Sequence, residues 1–474
     1  MEQERETEPL KLGTMPVGRL MLSMGLPMIL SMMLQAVYNI VDSAFVSNMA
    51  QNGELALNAL TLAFPMQMLM VAVSIGTGVG TNALVAKSLG QGNREKASQV
   101  AGNAMFLGFV IFVVFCLFGL FGVKFYISTQ TQNPVIYAMA VDYLRICCVV
   151  SFGMVFFGIF EKLLQATGHS MYSTVAQIAG ALTNIVLDPI LIYGWLGCPE
   201  LGVRGAACAT ILGQLVSMAL ALLFHRKVNT AISNDLSYIK PSKKIIGEIY
   251  SIGLPAIIAQ ALMSVMTYGL NLILGMVGES MVTAYGLYYK IQQFILFAAF
   301  GLRDAITPIL SFNYGKQDRE RIQAGMKYGM GFTLAIMVLG LAVLEIFAVP
   351  FAHLFGLSGQ TERLCISAIR IISISFLFAG TNIAFQGIFQ ALESGLESLV
   401  ISVCRQILFV LPLAWVLARL VVGAGSPAWL VWLTFPAAEL LSTLIACLLL
   451  RRTYQNKVAP LAAPHSERKR GLTP

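Results

Sequence analysis

Two aspartates stand inside long apolar stretches of the 474-residue chain, where an ionised side chain is expensive to bury. Asp42 lies in the first apolar run, and Asp188 lies in the fifth, four residues after Asn184. Residues four apart share one face of a helix, so Asn184 and Asp188 point the same way. Carboxylate and amide oxygens are ligands of hard cations. We expect the two aspartates, with Asn184 and Asn39 as neighbouring oxygen donors, to form a site for Na⁺ or a proton.

Both aspartates also have a purely structural interpretation. Each lies near the end of its run, so Asp42 could be exposed at the outer interface of the membrane. Asp188 could make a turn before Pro189. Against this, both runs start on the same side and carry their aspartate late, which predicts a similar depth for the two carboxylates. The sequence predicts no cofactor, and no metal ion other than Na⁺ at this pair.

Other polar residues lie within the apolar runs. Pro27 precedes Asp42 by about four turns, lacks a backbone donor, and predicts a hinge in the first helix. Weaker candidates for a substrate cleft are Tyr38, Asn39, Gln260, Lys290, Gln293 and Asp304.

Three further acidic residues have neighbours or positions that suggest a role. Asp304 next to Arg303 fits an internal ion pair or a pair at the cytoplasmic interface equally well. Glu161 and Lys162 adjoin the end of the fourth run, which favours a surface pair. Glu439 stands alone in the twelfth run, where it either has a function or reaches towards the interface.

The elements that carry these residues are membrane helices. Of the chain, 57% is hydrophobic and only 11% is charged, about half the charged share of a soluble protein. Runs of about 20 mostly apolar residues are long enough to span a bilayer, and the chain has twelve of them. The first six cover 18–46, 57–86, 99–122, 136–160, 171–195 and 204–225. The second six cover 248–274, 283–311, 325–350, 366–390, 397–420 and 427–450.

Lysine and arginine are concentrated in alternate loops and in the C-terminal tail. They follow runs two, six and eight, whereas 47–56 and 275–282 have none. By the positive-inside rule, the even-numbered loops and both termini face the cytoplasm. The net charge of +8 therefore follows from membrane topology, and we expect no nucleic-acid partner.

The two halves of the chain repeat at a constant offset of 225 residues. Three separate blocks match: Gly90 with Gly315, Arg145-Ile146 with Arg370-Ile371, and Gln165-Ala166 with Gln390-Ala391. Each repeat holds six spans, and six is even, so both repeats enter the membrane from the same side. They are therefore parallel repeats, related by an axis along the membrane normal.

The pattern predicts an all-α polytopic membrane protein of twelve transmembrane helices. Two six-helix bundles, 18–225 and 248–450, would be related by a pseudo-two-fold along the membrane normal, with 226–247 as a cytoplasmic linker. Segments 1–17 and 451–474 would be cytoplasmic ends. Such repeats are typical of transporters that rock one bundle against the other. Because the sequence has no Walker loop and no catalytic motif, it predicts a secondary transporter and not an enzyme.

Five segments resemble those of one known family. They are QAVYNIVDSAFV at 35–46, GQGN at 90–93, LQATGHS at 164–170, LTNIVLDPILIYG at 182–194 and LGVRGAACATILGQ at 201–214. The resemblance is to the multidrug and toxic compound extrusion (MATE) transporters of the bacterial type. It extends from about residue 15 to about 452.

The resemblance implies an antiporter that exports amphipathic, often cationic drugs in exchange for H⁺ or Na⁺, through two bundles arranged in a V. It implies a multi-pass monomer in the lipid bilayer of the bacterial inner (plasma) membrane. The family's cation site in the first bundle maps to Asp42, Asn184, Asp188 and Thr210, and Pro27 matches its kinking proline. Thr210 enters on the resemblance alone.

The seventh run departs from part of the family. Some relatives carry acidic residues there for a second cation site, whereas this run reads PAIIAQALM at 255–263. The departure favours coupling through Asp42 and Asp188. Among the alternatives, a flippase for a lipid-linked precursor, of the same superfamily, would need a strongly basic cleft. An intramembrane enzyme and a channel or scaffold fit the repeats and the aspartates less well.

Overall fold

The computed structural model describes residues 10–49, 53–354 and 359–461, and twelve helical spans make up this part of the chain. Spans 1 to 6 are Val17–Ser47, Gly53–Gly90, Arg94–Ser128, Pro134–Val149 with Phe152–Ala166, Ser170–Tyr193 and Val203–Val228. Spans 7 to 12 are Lys243–Val277, Glu279–Gly315, Arg319–Leu354, Gly359–Ser373 with Phe376–Ala391, Gly395–Ala424 and Ala428–Val458. Ten are long and apolar enough to cross a membrane alone, and spans 4 and 10 are helix pairs bent by 46° and 51°. The predicted number of spans is confirmed.

The helices extend further than the apolar runs that predict them. Span 2 covers Gly53–Gly90 rather than 57–86, and span 7 begins at Lys243 rather than near 248. Hydropathy detects only the part of a helix that lies in hydrocarbon, whereas these helices continue into water with polar ends. The linker between the bundles is therefore shorter than 226–247, because span 6 continues to Val228.

The two halves share backbone details at the offset of 225. Gly92 and Gln317 both have a positive φ, of 74° and 61°. The next residue in each half, Asn93 or Asp318, caps the following helix by accepting from a backbone amide three residues on, at 2.8 and 3.0 Å. The bends of spans 4 and 10 also fall at equivalent positions. These details confirm two six-helix bundles built as parallel repeats.

One end of the molecule gathers the linker, both described ends of the chain and the loops after spans 2, 4, 8 and 10. We call this end the linker side. The Leu12 carbonyl accepts from Asn313 Nδ2 at 3.3 Å, and Lys457 Nζ donates to the Leu392 carbonyl at 2.7 Å. The linker itself is held against the start of span 3.

The bundles meet on the linker side. A Cβ on Gly90 would lie 1.9 Å from the Phe312 carbonyl oxygen, and a Cβ on its repeat equivalent Gly315 would lie 2.1 Å from the Lys87 carbonyl oxygen. Only glycine permits helices to cross so closely. The largest buried hydrophobic cluster runs from the first bundle into the linker-side half of the second, while another cluster is confined to the outer half of the second bundle. The bundles are thus packed together on the linker side and packed separately on the opposite side.

Candidate functional site

Spans 1 and 5 lie side by side and run in the same direction. The Thr174 hydroxyl donates to the Pro27 carbonyl at 2.9 Å, between residues 147 apart in the chain. The Tyr193 hydroxyl donates to the Phe45 carbonyl at 2.6 Å, between residues 148 apart. A third hydrogen bond, from Ser31, joins the same two helices at a separation of 146. This constant register brings residues about 147 apart to the same depth.

This register places Asp42 beside Asp188, at the same depth along the two helices. Asp42 is 8% exposed and Asp188 is fully buried, and the two carboxylates are close enough to interact electrostatically. Asp42 is therefore not an exposed helix end. Asp188 does not make a turn either, because the helix Ser170–Tyr193 continues through Pro189. The similar depth that the sequence predicts for the two aspartates is observed.

Several oxygen acceptors in this cluster lack a donor. Asp42 Oδ1, Asn184 Oδ1 and both Asp188 carboxylate oxygens are buried without a hydrogen-bond partner in the described part of the chain. Buried polar atoms normally have one, and an unpaired group at membrane depth costs several kcal/mol. The four oxygens form an acceptor set that is complementary to a small cation or to protons.

Span 6 closes the cluster on a third side. Asn184 Nδ2 donates to Thr210 Oγ1 at 3.4 Å. Gly213 permits this approach, because a Cβ there would lie 2.6 Å from the Gly180 carbonyl oxygen. The Tyr38 side chain of span 1 also lies close to Thr210. Thr210 and Tyr38 therefore join the aspartates. Tyr38 is four residues before Asp42 and shares its helix face, whereas Thr210 carries no sequence signal of its own.

Asp304 differs from the aspartate pair because it is neutralised. Lys162 Nζ lies 2.6 Å from one of its oxygens, and Arg303 Nη2 donates to the other at 2.8 Å. Lys162 belongs to span 4 and Asp304 to span 8, so this buried ion pair joins the two bundles. The interpretation of Glu161 and Lys162 as a surface pair is wrong, since Lys162 is only 3% exposed. The sequence shows the end of an apolar run but not the second bundle that covers it.

Glu439 is also neutralised, by a residue that sequence reasoning missed. Arg405 of span 11 donates to its carboxylate from Nε and from Nη2, the latter at 2.7 Å. Asn382 Nδ2 donates to the same carboxylate at 2.7 Å. The sequence signal for this ion pair was a lone arginine in one apolar run and a lone acid in the next.

The other candidates lie in different surroundings. Gln260 lines a pocket between the bundles, and Gln293 Oε1 is buried without a partner in the described part of the chain. Lys290 is exposed and is not brought to the aspartates. The side chain of Asn39 lies outside the described part of the structure. Pro27 is buried within an unbroken helix, so its role as a hinge stays a prediction.

Comparison with known proteins decides the family. The family model MatE matches residues 27–190 and 255–416, one match in each bundle. The chain belongs to the MatE family. It is therefore a multi-pass membrane transporter, as the resemblance implies.

Two curated relatives and one solved structure are similar to this MatE chain along most of its length. The FAD transporter of Shewanella oneidensis is 25% identical over 403 residues, covering 84% of this chain and 88% of that protein. The multidrug export protein MepA of Staphylococcus aureus is 24% identical over 440 residues, covering 92% and 94%. A structure described as the outward-facing conformation of a multidrug resistance MATE family transporter has a TM-score of 0.87 at 24% identity, covering 96% and 99%. The structural likeness shows the shared fold.

Proposed function

We propose that this protein exports small molecules in exchange for H⁺ or Na⁺, and that the ion binds between Asp42 and Asp188. One observation carries the proposal: these two carboxylates are buried together with no cationic partner among the described residues. Asp304, the other buried carboxylate of the described chain, already has Lys162 and Arg303. Two unneutralised acids at membrane depth need a cation or protons between them.

The linker side is assigned to the cytoplasm. The linker and the loop after span 2 are rich in lysine and arginine, and the positive-inside rule places such segments in the cytoplasm. Both termini are then cytoplasmic. The bundles are packed together on that side and separately on the other, which supports a state that opens outwards.

Span 1 connects the ion site to the seam between the bundles. Asp42 lies on the same helix as Pro27, whose missing amide weakens the helix ladder. Two residues after Pro27, Ile29 packs so closely on span 8 that a Cβ on Gly301 would lie 2.7 Å from its backbone. An ion bound between Asp42 and Asp188 stabilises one position of span 1. Its differential affinity for the two states supplies the bias that moves the bundles.

The substrates in this proposal are amphipathic and often cationic. The curated relatives are named as a multidrug exporter and an FAD transporter, which supports small organic substrates. A flippase for a lipid-linked precursor is less well supported. Its pyrophosphate would need a cluster of free cations, whereas Lys162, Arg303 and Arg405, which lie where the bundles meet, each hold an acid.

Transport in proteoliposomes tests the proposal. Tetraphenylphosphonium serves as the probe, because it is an amphipathic cation without hydrogen-bonding groups. We expect an imposed pH or Na⁺ gradient to drive its movement by the wild-type protein. Asp42→Asn and Asp188→Asn should abolish gradient-driven movement, because each removes the charge that the ion compensates.

The matched control is Glu345→Gln, which removes an exposed carboxylate of span 9. Glu345 accepts from the Ser373 hydroxyl at 3.0 Å and lies apart from the aspartates. This variant should transport like the wild type. Gradient-driven transport that persists in both aspartate variants removes the pair from the mechanism.

A further inference from the structure

A cavity of about 210 Å³ lies among spans 3, 4 and 6 and the linker. No residue of the second bundle lines it, and neither does Asp42 or Asp188, so it is separate from the ion site and from the seam between the bundles. An apolar cavity of about 150 Å³ is enough to bind benzene. This cavity therefore has room for part of a larger apolar ligand.

Span 4 contributes a row of three phenylalanines to the wall of the cavity. Phe152, Phe156 and Phe160 are spaced four residues apart, so they lie on one face of the helix Phe152–Ala166. Successive ring centroids are 4.4 and 6.3 Å apart. The row extends about 12 Å along the helix, which is close to the depth of one leaflet of the hydrocarbon core, about 15 Å. Phe152 is 37% exposed, so the row reaches the surface of the bundle at the end away from the linker.

The linker closes the other end of the cavity. The Ser233 amide donates to Ser98 Oγ at the start of span 3, at 2.9 Å. Further along the linker, the chain crosses span 3 so closely that a Cβ on Gly102 would lie 2.1 Å from the Tyr238 carbonyl oxygen. The cavity thus has a polar end on the linker side and an apolar length towards the middle of the membrane.

A buried histidine borders the cavity near this polar end. His225 is fully buried, and its ring centroid lies 5.5 Å from that of Phe160. Its Nδ1 accepts from Asn229 Nδ2 at 3.1 Å, which leaves the proton of the neutral ring on Nε2. Nε2 has no hydrogen-bond partner in the described part of the chain, although Asn234 of the linker lies close to the ring. A buried donor of this kind calls for an oxygen acceptor.

Basic side chains surround the polar end of the cavity. Arg226 lines it, is exposed, and forms no ion pair within the described residues. Lys227 and Lys240 adjoin lining residues in the chain and are exposed as well. Asp235, the single acid of the lining, accepts from the Ser237 amide at 2.9 Å. The polar end therefore carries a surplus of positive charge.

The repeat shows that the phenylalanine row is specific to the first bundle. At the offset of 225, Phe152 corresponds to Leu377 and Phe156 to Thr381, and only the third phenylalanine is retained. The second bundle also lacks a linker to close the corresponding end. The six-helix architecture therefore does not itself require the features that form the cavity.

We propose that this cavity binds an acyl chain of an anionic phospholipid, whose phosphate lies at Arg226. The order of groups along the cavity is that of such a lipid: basic side chains at the interface, then a lone buried donor, then an apolar row one leaflet deep. His225 Nε2 donates to an ester or phosphate oxygen, and the phenylalanine row packs on the chain. Basic pockets between membrane helices bind anionic headgroups in this way.

Native mass spectrometry of the purified full-length protein tests the inference, by titration with phosphatidylglycerol or with phosphatidylcholine of the same acyl chains. We expect the wild type to bind one phosphatidylglycerol more tightly than phosphatidylcholine. Arg226→Gln should weaken phosphatidylglycerol binding about fivefold, the contribution of one basic residue near an anionic lipid, and leave phosphatidylcholine binding unchanged. Leu222→Trp should weaken binding of both lipids about tenfold, because the larger side chain fills the space of the acyl chain.

Each variant has a matched control. Leu223→Trp introduces the same side chain one residue further on, at a position that is 42% exposed and does not line the cavity. Arg452→Gln removes an exposed arginine at the linker-side end of span 12. Both controls should bind the two lipids like the wild type. Circular dichroism checks that every variant keeps its helices.

Four outcomes overturn the inference. Equal affinity of the wild type for the two lipids excludes recognition of the anionic headgroup, and unchanged binding in both cavity variants places the lipid elsewhere. Displacement of the lipid by glycerol 3-phosphate, which has the charge but no acyl chains, would show that the site holds a soluble phosphate. Displacement by tetraphenylphosphonium would show that it holds an amphipathic cation.

Discussion

At the scale of single residues, the proposed ion site is a set of oxygens held by three helices. Asp42 and Asp188 supply the charge, and Asn184 positions its own oxygen beside them through its bond to Thr210. The neutral ligand matters because it sets affinity without adding repulsion between acids. We therefore expect ion affinity to depend on the neutral oxygen of Asn184 as well as on the two carboxylates.

Removing the amide of Asn184 should weaken ion binding without abolishing transport. We expect Asn184→Ala to raise the ion concentration for half-maximal transport about tenfold, which corresponds to about 1.4 kcal/mol. The variant loses one oxygen ligand of the ion and keeps both carboxylates. Transport in proteoliposomes at graded Na⁺ or pH measures it.

Thr183→Ala is the control for this variant. Thr183 neighbours Asn184 in the chain, but its hydroxyl donates to the Ala179 carbonyl of its own helix at 2.7 Å. The control should show the wild-type ion dependence. An unchanged ion dependence in Asn184→Ala would exclude the amide from the site.

The charged residues of the candidate site could be predicted from the sequence, and the contacts between its helices could not. An aspartate in an apolar run is visible without a structure, and so is the i to i+4 spacing of Asn184 and Asp188. The bond from Asn184 to Thr210 depends on how closely spans 5 and 6 approach, which Gly213 permits but no spacing reveals. Lys162 was misread for the same reason, because its burial depends on the other bundle.

At the scale of helices, the bundles are joined by two kinds of ion pair. Lys162 and Asp304 are 3% and 4% exposed, whereas the pair of Lys96 and Glu248 is about one-third exposed at each side chain. Both pairs join a helix of the first bundle to a helix of the second. The buried pair lies out of reach of solvent screening, and the exposed one does not.

Breaking the buried pair should favour separation of the bundles on the linker side. Lys162→Met leaves Asp304 with Arg303, so the interaction lost between the bundles is one buried charged hydrogen bond, about 1.5–3 kcal/mol. Lys96→Met, the control, should shift the equilibrium by no more than about 1 kcal/mol, the usual range for surface pairs.

Spin labels on either side of the seam measure this shift. Cysteines at Gln91 and Lys316, both exposed, place one label on each bundle in a background free of other cysteines. We expect the long-distance population to grow in Lys162→Met and to stay near the wild-type level in Lys96→Met. Identical distance distributions in both variants would show that the buried pair does not hold the bundles together.

Helix number and order followed from run length, but helix ends and bends did not. In the sequence, spans 4 and 10 are single apolar runs, although each is bent near its middle. Hydropathy does not report the direction of a helix axis, so it cannot detect the bend. The offset of 225 between repeats predicted which turns would correspond. The matching caps at Asn93 and Asp318 confirm it.

At the scale of the whole molecule, the two bundles form one closed side and one divided side. The hydrophobic core is continuous across the bundles on the linker side and separate on the other. No apolar run predicts this asymmetry, because hydropathy marks which segments span the membrane and not how the spans pack. The sequence could predict two bundles but not which side they close.

Cysteine labelling tests which side of the membrane the linker faces. In a cysteine-free background, a cysteine at Asp235 in the linker should react with a membrane-impermeant reagent in inverted vesicles and not in intact cells. A cysteine at Glu200, in the loop after span 5, should show the reverse pattern. Both positions are exposed. The opposite pattern at both would invert the assignment of the linker side to the cytoplasm.

Linkage between ion and substrate binding tests most directly the claim that Asp42 and Asp188 hold the coupling ion. The measurement is the affinity of the purified protein for tetraphenylphosphonium across a series of Na⁺ concentrations and pH values. In an antiporter the two ligands oppose each other, so the coupling ion should weaken wild-type binding, by about 5- to 150-fold for a typical coupling energy. Glu345→Gln should behave like the wild type, and Asp188→Asn should bind the probe with no dependence on the ion. An ion dependence that remains unchanged in Asp188→Asn and in Asp42→Asn would contradict the claim.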